Sequence, residues 1–356
     1  MKVFYLALSI ALLVTISCKK VKFNELPASE ITDYDPINAT KKQDILNYLT
    51  EIGESDSLIA GQMIGMGNLG DPNYAPEDFT GLNKKPGVLG VDLGWFTDFS
   101  QLEPNFVENI IQQESEGSLI TISMHMPNPF NRKEGADKYH KKRFDYSEVY
   151  TEGTATNERF KVLLNNAANV LQELKNDNVI VLWRPFHEMN GGFFWWGSDK
   201  KFPEQEEFKE LWIYTYNYLE VERQLDNLLW VYGPNYQYDN ILKPTDYYYP
   251  GDEYVDVVGL DYYANDLSDI NMNNSMSNLM AYNKPICIAE IGKGVNQEVA
   301  MNETDNLIYL GLKEYPVAYF LVWNSWPNHY GSIIDSKNAD ELMNHELIIS
   351  QDEVSY

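Results

Sequence analysis

Eight short apolar runs, separated by longer stretches with helical periodicity, constrain the fold of this chain more than any other feature. The runs are Leu58 to Met63, Val88 to Leu93, Leu119 to Met124, Val179 to Trp183, Leu228 to Tyr232, Val255 to Leu260, Ile286 to Ala289 and Val317 to Val322. Their hydrophobicity is continuous rather than alternating, which is typical of parallel strands that are covered on both faces. Between the third and fourth runs, Arg159 to Lys175 carries an apolar stripe at helical spacing, and a second helix is predicted over Glu204 to Arg223.

Eight strands that alternate with helices predict an α/β fold, a (β/α)8 or TIM barrel. The length of 356 residues would also fit two domains of about 150 residues each, but barrels often exceed about 250 residues as one unit. We therefore predict a single barrel domain over residues 41–356. In such a barrel, functional residues lie at the C-terminal ends of the strands.

The charge of the chain limits its partners. It has 53 acidic and 27 basic side chains, which gives a net charge of −26, and 13% of its residues are aromatic. Such a negative field repels phosphate backbones and anionic lipid headgroups. We therefore expect no nucleic-acid partner and no membrane-surface partner, and the composition favours a neutral ligand such as a sugar.

The N-terminus predicts a secretory signal over residues 1–17. Lys2 is followed by an apolar run from Val3 to Ile16, which is shorter than the roughly 20 residues of a spanning helix. Ser17 and Cys18 close the run, and a cysteine directly after a small residue resembles the processing site of bacterial lipoproteins. The resemblance implies that Cys18 is lipidated and is the only attachment of the chain to a membrane.

Residues 18–40 are polar and contain two prolines, so they are predicted to form a lipid-anchored tether. Lys19, Lys20 and Lys22 stand where lipoproteins of the Bacteroides type carry an acidic surface-export signal. The difference favours an outer-membrane anchor that faces the periplasm, with the cell surface as the alternative. Cys287 has no partner once Cys18 is acylated, and we interpret it as a buried free thiol.

Polar and aromatic side chains follow several of the predicted strands directly. They are Ser123 to His125 at the end of the third run, Arg184 to Glu188 after the fourth, Asp261 to Tyr263 after the sixth, Glu290 after the seventh and Trp323 to Trp326 after the eighth. In a closed barrel these groups surround one cleft. Two facing carboxylates, Glu188 and Glu290, suit glycosidic cleavage, because one protonates the leaving oxygen while the other meets the oxocarbenium-like centre. Aromatic walls suit the apolar faces of sugar rings.

Two segments resemble a known family of enzymes. Trp183-Arg184-Pro185-Phe186-His187-Glu188-Met189-Asn190-Gly191-Gly192-Phe193-Phe194-Trp195-Trp196-Gly197 is similar to the acid/base region of glycoside hydrolase family 26, and Pro285-Ile286-Cys287-Ile288-Ala289-Glu290-Ile291-Gly292 resembles its nucleophile strand. Most members are retaining endo-β-1,4-mannanases, some release mannobiose from chain ends, and a minority act on β-1,3-xylan or mixed-linkage glucan. The resemblance therefore implies a hydrolase that cleaves β-mannan or manno-oligosaccharides.

The resemblance also implies roles for individual residues. Glu188 would be the general acid/base and Glu290 the nucleophile of a covalent mechanism. The residues implied to bind substrate or to orient these two are His125, His187, Phe193, Trp196, Asp261, Tyr263, Trp323 and Trp326. Among them, Tyr263 would steady Glu290, and Trp323 would form the apolar platform below the cleaved sugar, with Trp326 as the other candidate. Phe193 stands where the family usually has tryptophan.

Four questions remain open at the level of sequence. The same two carboxylates could act on β-1,3-xylan or mixed-linkage β-glucan, or the chain could be a carbohydrate-binding lipoprotein without turnover. Cleavage could also be endo or exo, since the segment from Pro127 to Thr156 is long enough to block one end of a cleft. Arg184 could face Glu290 or form an internal salt bridge of the barrel.

Other catalytic chemistries have little support in the sequence. The five histidines include no His-x-x-x-His pair, and we find neither a phosphate-binding glycine loop nor a Gly-x-Ser-x-Gly turn. We therefore expect no cofactor and no metal, and we expect a monomer.

Overall fold

The structure is a computed structural model and describes residues 36–66, 82–94, 105–130, 136, 145–197, 203–237, 243–264, 267, 270–293, 298–325 and 328–356. The predicted signal peptide, Cys18, most of the predicted tether and Trp326 lie outside the described residues. Within these ranges, every helix is too short or too polar to cross a membrane.

The described residues form nine β-strands, of which the first eight match the eight apolar runs. The strands are β1 Leu58–Met66, β2 Val88–Asp92, β3 Leu119–Ser123, β4 Val181–Arg184, β5 Leu228–Tyr232, β6 Val257–Tyr263, β7 Ile286–Gly292, β8 Val317–Val322 and β9 Ile348–Ile349. The strand prediction is therefore confirmed. The ninth strand, which was not predicted, is only two residues long.

Strands β1 to β8 close into a parallel barrel. Each strand pairs with the next one along the chain, and β8 pairs with β1 to complete the circle. The predicted (β/α)8 barrel is thus confirmed. The short β9 adds to the beginning of β1, where Leu58 lies opposite Ile348.

Helices connect most of the strands on the outside of the barrel. In the described residues they are α1 Pro36–Glu54, α2 Phe106–Ser115, α3 Ala155–Asn176, α4 Gln205–Tyr216, α5 Ile270–Leu279 and α6 Ala339–Met343. A 3₁₀ helix over Asn306–Glu314 takes the helical position between β7 and β8, and shorter 3₁₀ turns cover Tyr146–Val149, Asp252–Tyr254 and Gln351–Glu353.

Both predicted helices are present, with different ends. Helix α3 starts before Arg159 because the side chain of Thr154 accepts a hydrogen bond from the backbone N–H of Asn157 at 3.0 Å and caps its first turn. Helix α4 ends at Tyr216, and the remainder of the predicted helix forms a wider π-helical turn over Asn217–Glu222.

The inside of the barrel is filled by apolar side chains from all eight strands. The inward-facing residues are Ile59, Met63, Val88, Leu119, Leu182, Leu229, Val231, Val257, Cys287, Ala289, Tyr319 and Leu321. Cys287 is a buried free cysteine, as expected, and burial raises the pKa of its thiol to about 12. The barrel is therefore a packed core, and ligands have room only above the ends of its strands.

Helix α1 covers the N-terminal end of the barrel. Lys41 Nζ donates to the carbonyl of Asn178, which precedes β4, and Asn38 Nδ2 donates to Asp226 Oδ1, which precedes β5, at 2.9 and 3.0 Å. Ile45 and Leu49 of the same helix pack into the inner apolar cluster. This end of the barrel is closed, so the open cleft lies at the other end.

The C-terminal segment lies at the same closed end. Gln351 Nε2 donates to Ser118 Oγ, directly before β3, at 2.7 Å. Ser350 forms a backbone bridge with Pro86, which precedes β2. Both ends of the described chain therefore leave the barrel on the face opposite the cleft.

The predicted boundary of the tether needs a correction. Helix α1 begins at Pro36, five residues before the predicted start of the domain at Lys41. Proline suits the first turn of a helix because it lacks only an N–H group that would have no helical partner there. Asn38 is fully buried through its contact with Asp226, so residues 36–40 belong to the folded domain.

We predict that Leu49→Ala lowers the free energy of unfolding by about 2–5 kcal/mol, since Leu49 is fully buried and the smaller side chain leaves a cavity. Urea unfolding followed by circular dichroism measures this loss. Glu51→Ala, at an exposed position on the same helix, serves as the control and should change stability by less than about 0.5 kcal/mol. Equal losses in the two variants would show that α1 does not close the barrel.

Candidate active site

The C-terminal ends of seven strands bring charged and aromatic side chains to one end of the barrel. In strand order they are Asp92 (β2), His125 (β3), Arg184 and Glu188 (β4), Asn235 (β5), Asp261 and Tyr263 (β6), Glu290 (β7) and Trp323 (β8). The set includes both predicted carboxylates. It also includes two residues that sequence analysis did not single out.

Arg184 lies at the centre of the site. Its Nη1 donates to Asp261 Oδ2 at 2.9 Å and its Nη2 donates to Glu290 Oε1, so one guanidinium joins two carboxylates. The side chain is 1% exposed. Although burial opposes its charge, Asp261 and Glu290 outweigh this effect and raise the pKa of Arg184 further. The two readings of Arg184 from sequence therefore both hold, because the internal salt bridge is also the contact with Glu290.

A glycine makes room for this arginine. A Cβ atom on Gly233, at the end of β5, would lie 3.0 Å from Arg184 Cδ. Because both ends of the guanidinium are held by carboxylates, the arginine side chain could not easily move aside.

Glu290 is fixed through both of its carboxylate oxygens. Tyr263, which was expected to steady it, donates its hydroxyl to Oε2 at 2.6 Å, while Arg184 binds Oε1. The register between β6 and β7 shifts so that Asp261 lies opposite Glu290, which marks an additional residue in β7. Such a bulge redirects the side chains that follow it. Two donors therefore stabilise negative charge on Glu290.

Glu188 has a different environment. Asn235 Nδ2 donates to its Oε1 at 2.6 Å. Burial, followed by repulsion from Glu290, raises the pKa of Glu188 to about 7. The site thus contains one carboxyl group that holds a proton near neutral pH beside another that is bound by a cation.

The loop that carries Glu188 has an unusual backbone. Phe186 and Glu188 both adopt left-handed conformations, with φ of 54° and 52°, which cost energy for residues with side chains. The Glu188 N–H donates to the carbonyl of Gly233 at 2.8 Å, which fixes the loop against β5. The hydrogen bond to the end of β5 therefore stabilises this strained backbone conformation.

Asn190 fixes the position of Asn235. The Asn235 N–H donates to Asn190 Oδ1 at 2.7 Å, and Asn190 Nδ2 donates back to the carbonyl of Asn235 at 2.6 Å. This reciprocal pair joins the loops after β4 and β5, so the donor to Glu188 is oriented before any ligand arrives.

Two histidines lie beside the carboxylates. His125 Nδ1 is 2.9 Å from Asp92 Oδ2, and its Nε2 is 3.3 Å from Nε2 of His187. Burial opposes protonation of His125, but Asp92, together with Glu290 and Glu188, outweighs burial and raises the pKa of His125. Burial and the neighbouring His125 lower the pKa of His187 well below its usual range. The pair therefore consists of two histidines with opposite preferences for charge.

The aromatic side chains occupy different depths. Trp323 is half-buried, with its ring centroid 5.8 Å from that of His125, and Phe193 is 40% exposed. Phe194 is mostly buried and lies against both histidine rings at 5.0–5.1 Å. Of these three aromatic side chains, Trp323 and Phe193 are therefore the ones exposed enough to meet a ligand.

The predicted substrate contact of Trp196 needs a correction. Its side chain is fully buried, and its Nε1 donates to the backbone carbonyl of His187 at 2.8 Å. The ring also stacks on Phe194 with centroids 4.5 Å apart. Trp196 therefore supports the loop from below and does not line the cleft.

Asp92 and Asn235 are the site residues that sequence reasoning missed. Asp92 interrupts the second apolar run, and Asn235 follows the fifth run after Gly233 and Pro234. A single polar residue at a strand end was the signal in both cases, but neither lies in a recognisable motif. The described residues contain no group of three or more potential metal ligands.

Comparisons with known proteins agree on one family. The sequence model of glycosyl hydrolase family 26 matches residues 34–353. The mannan endo-1,4-beta-mannosidase A and B of Caldalkalibacillus mannanilyticus is 32% identical over 283 residues, which cover 77% of this chain and 53% of that protein. The mannan endo-1,4-beta-mannosidase of Bacillus subtilis is also 32% identical, over 76% of this chain and 74% of its own length.

Solved structures show the same fold. A mannanase of Bacillus subtilis superposes with a TM-score of 0.75 at 27% identity and covers 91% of this chain and 97% of that one. A β-mannanase of Bacteroides ovatus gives a TM-score of 0.69 at 24% identity, with coverage of 89% and 95%. The second likeness supports the barrel fold alone.

We predict that Arg184→Gln lowers the free energy of unfolding by about 3–5 kcal/mol, because it leaves two buried carboxylates without their cation. Burial and Glu290 already raise the pKa of Asp261 although Arg184 opposes this. A raised pKa in the folded state means that stability falls as pH rises. The loss should therefore be larger at pH 8 than at pH 5.

Urea unfolding at the two pH values measures this difference. Arg223→Gln is the matched control, since Arg223 is partly exposed and binds the amide oxygens of Asn165 and Asn169. A loss in Arg184→Gln that is small and independent of pH would contradict the assignment of Arg184 as the shared cation.

Proposed function

The chain belongs to glycosyl hydrolase family 26, and from that premise we propose that it is a retaining β-1,4-mannanase, which cleaves mannan or manno-oligosaccharides through a covalent glycosyl-enzyme intermediate. The names of the matched relatives support mannan as the substrate. The chain spans only 53% of the length of the Caldalkalibacillus protein, and the residues of its own site support the proposed activity.

One observation carries the proposal: the two carboxyl groups have opposite environments. The pKa of Glu188 is raised to about 7, so this group can donate a proton near neutral pH. Arg184 and Tyr263 bind the two oxygens of Glu290 and stabilise its negative charge. A protonated acid beside a charged carboxylate is the pairing that a retaining glycosidase needs.

In the first step, an oxygen of Glu290 attacks the anomeric carbon. The glycosidic C–O bond breaks, and its oxygen takes the proton of Glu188 and leaves as a free hydroxyl. Glu290 loses its negative charge when the covalent bond forms, and Glu188 becomes negatively charged when it gives up its proton. Asn235 donates to Glu188 Oε1, so it stabilises the carboxylate that forms.

In the second step, Glu188 acts as a base. It removes a proton from a water molecule whose oxygen attacks the anomeric carbon, and the bond to Glu290 breaks. Both carboxyl groups return to their starting states. Two inversions at one carbon give a product with the β configuration of the substrate.

The aromatic side chains match a sugar ligand. Trp323 offers a flat apolar surface beside His125 and the carboxylates, and Phe193 is exposed on the loop that carries Glu188. Sugar rings have apolar faces that pack on such surfaces, while histidine nitrogens can bind their hydroxyl groups. We assign Trp323 to the sugar at the cleavage point and Phe193 to a neighbouring sugar.

We further propose that the enzyme releases mannobiose from chain ends. The segment after β3 is long, and its described parts are joined to the acid/base loop. The Trp195 N–H donates to the carbonyl of Ala136 at 3.0 Å, and the Tyr146 hydroxyl donates to the carbonyl of Trp196 at 3.3 Å. A wall fixed in this way can limit the number of sugars on one side of the cleft.

The location of the enzyme is a separate part of the proposal. The signal-like N-terminus and Cys18 support an outer-membrane lipoprotein that faces the periplasm, and we propose that it acts there as a monomer. Short imported oligosaccharides would be its natural substrates in that compartment.

We predict that kcat/KM on mannan falls as pH rises through about 7, because Glu188 must be protonated to act as the acid and its pKa is raised to about 7. A pH–rate profile with linear mannan measures this alkaline limb. Asn235→Ala should move the limb to higher pH, since Asn235 stabilises the charged form of Glu188. A limb that stays in place in this variant would assign it to another group.

We predict that Glu188→Ala and Glu290→Ala each lower kcat on β-mannan by at least about a thousandfold, but differ with an activated aryl β-mannoside. A leaving group that needs no proton allows Glu188→Ala to form the glycosyl-enzyme, which added azide then releases as β-mannosyl azide. Glu290→Ala should lack both reactions. Chromatography of the products from mannan, mannopentaose and the aryl mannoside measures these outcomes.

Assays of the wild-type enzyme test the stereochemistry, the position of cleavage and the substrate. Proton NMR of the first product should show the β anomer before mutarotation, and an α anomer would overturn retention. Early release of mannobiose alone supports cleavage from chain ends, whereas a ladder of oligomers would make the enzyme endo-acting. Activity on xylan or glucan in place of mannan would overturn the substrate, and no turnover on any of these would leave a carbohydrate-binding protein.

A further inference from the structure

Both carboxylate oxygens of Asp92, at the edge of the active site, have hydrogen-bond partners. Its Oδ1 accepts the backbone N–H groups of Gly94 at 2.6 Å and His125 at 3.1 Å. Its Oδ2 accepts the Ser123 hydroxyl at 2.6 Å and faces His125 Nδ1 at 2.9 Å. The side chain is fully buried. Four contacts from two neighbouring strand ends therefore hold this carboxylate in one orientation.

The His125 ring stands between Asp92 and His187. With Nδ1 directed at Asp92, its Nε2 meets Nε2 of His187 at 3.3 Å. Only one proton fits between two ring nitrogens at that distance, so one histidine donates and the other accepts. The ring that carries a proton on both nitrogens has to be the donor.

We propose that Asp92 is a positioning residue of this active site, which holds His125 as an imidazolium cation and thereby makes His187 Nε2 a hydrogen-bond acceptor. Asp92 does not touch substrate in this assignment. Its effect on the reaction passes through His125, and this kinetic part of the inference rests on the proposed function.

The charges that face His125 from each neighbouring element favour the cation. They are Asp92 at the end of β2, Glu188 after β4 and Glu290 on β7, whereas His187 beside it is neutral. Burial opposes the charge, but Asp92, Glu290 and Glu188 together outweigh burial and raise the pKa of His125. In turn, burial raises the pKa of Asp92, but His125, His187 and the Ser123 hydroxyl together outweigh it and hold the pKa of that carboxyl below its usual range.

The cation also acts on the acid/base residue. Glu188 is faced by Glu290, which raises its pKa, and by His125 and Arg184, which lower it. Loss of the charge on His125 would leave the carboxylate form of Glu188 less stabilised. Asp92 therefore helps to set the pH at which Glu188 loses its proton, although it lies on the far side of the His125 ring.

Nitrogen-15 NMR of histidine-labelled protein tests the first part without any substrate. The chain has five histidines, and His125→Gln identifies the resonances of His125. At pH 7.5, about one unit above the ordinary histidine pKa, both ring nitrogens of His125 should carry protons in the wild type. A neutral His125 at this pH would overturn the inference, and the protonation state is read from the wild-type protein without any substrate.

Asp92→Asn supplies the second measurement. The amide keeps the shape and one acceptor but removes the charge, so His125 should be neutral at pH 7.5. Asp226→Asn is the matched control, because Asp226 is also a buried aspartate that is bound by a cation, Lys175 at 3.0 Å, but lies at the closed end of the barrel. It should leave His125 protonated. A protonated His125 in Asp92→Asn would overturn the role of Asp92.

The pH–rate profile then separates positioning from a structural defect. In Asp92→Asn the alkaline limb of kcat/KM should move up by at least about half a pH unit, while in Asp226→Asn it should stay in place. A lower rate with an unmoved limb in Asp92→Asn would overturn the link to Glu188. If the wild type does not cleave mannan, the proposed function fails, and the NMR measurements still decide the assignment of Asp92.

Discussion

A single buried guanidinium between two carboxylates is the interaction on which the active site depends. Arg184 binds Asp261 from β6 and Glu290 from β7, so one cation on β4 joins two strands that are not its neighbours in the barrel. A buried ion pair contributes little net stability, but removing one partner is very costly. The arrangement therefore specifies geometry more than it adds stability, and the neighbouring elements are shaped around it.

Three local features serve this geometry. The additional residue in β7 aligns Glu290 with Asp261, and the absence of a side chain at Gly233 leaves space for the Arg184 side chain. The third feature is the left-handed backbone at Phe186 and Glu188, on the loop that carries the second carboxyl group. Each of these features departs from regular strand or loop geometry. Together they produce two carboxyl groups with different environments, and this difference makes acid/base chemistry possible near neutral pH.

The sequence predicted the barrel because eight continuous apolar runs that alternate with helical segments are typical of parallel strands covered on both faces. It predicted Glu188 and Glu290 because each lies in a recognisable segment. Asp92 and Asn235 could not be found in the same way, because their roles depend on contacts with His125 and Glu188, 33 and 47 residues away. The burial of Trp196 was missed for a related reason, since an aromatic cluster does not show which ring faces the ligand.

The closed end of the barrel has a practical consequence. Helix α1 and the C-terminal segment both lie there, so Pro36 and the last residues of the chain are on the face opposite the cleft. A bead or a second protein module joined to the C-terminus would stand behind the enzyme and leave the cleft unobstructed. The fold therefore suits immobilisation, because the protein can be fixed to a solid through its closed end while the cleft stays open to solvent.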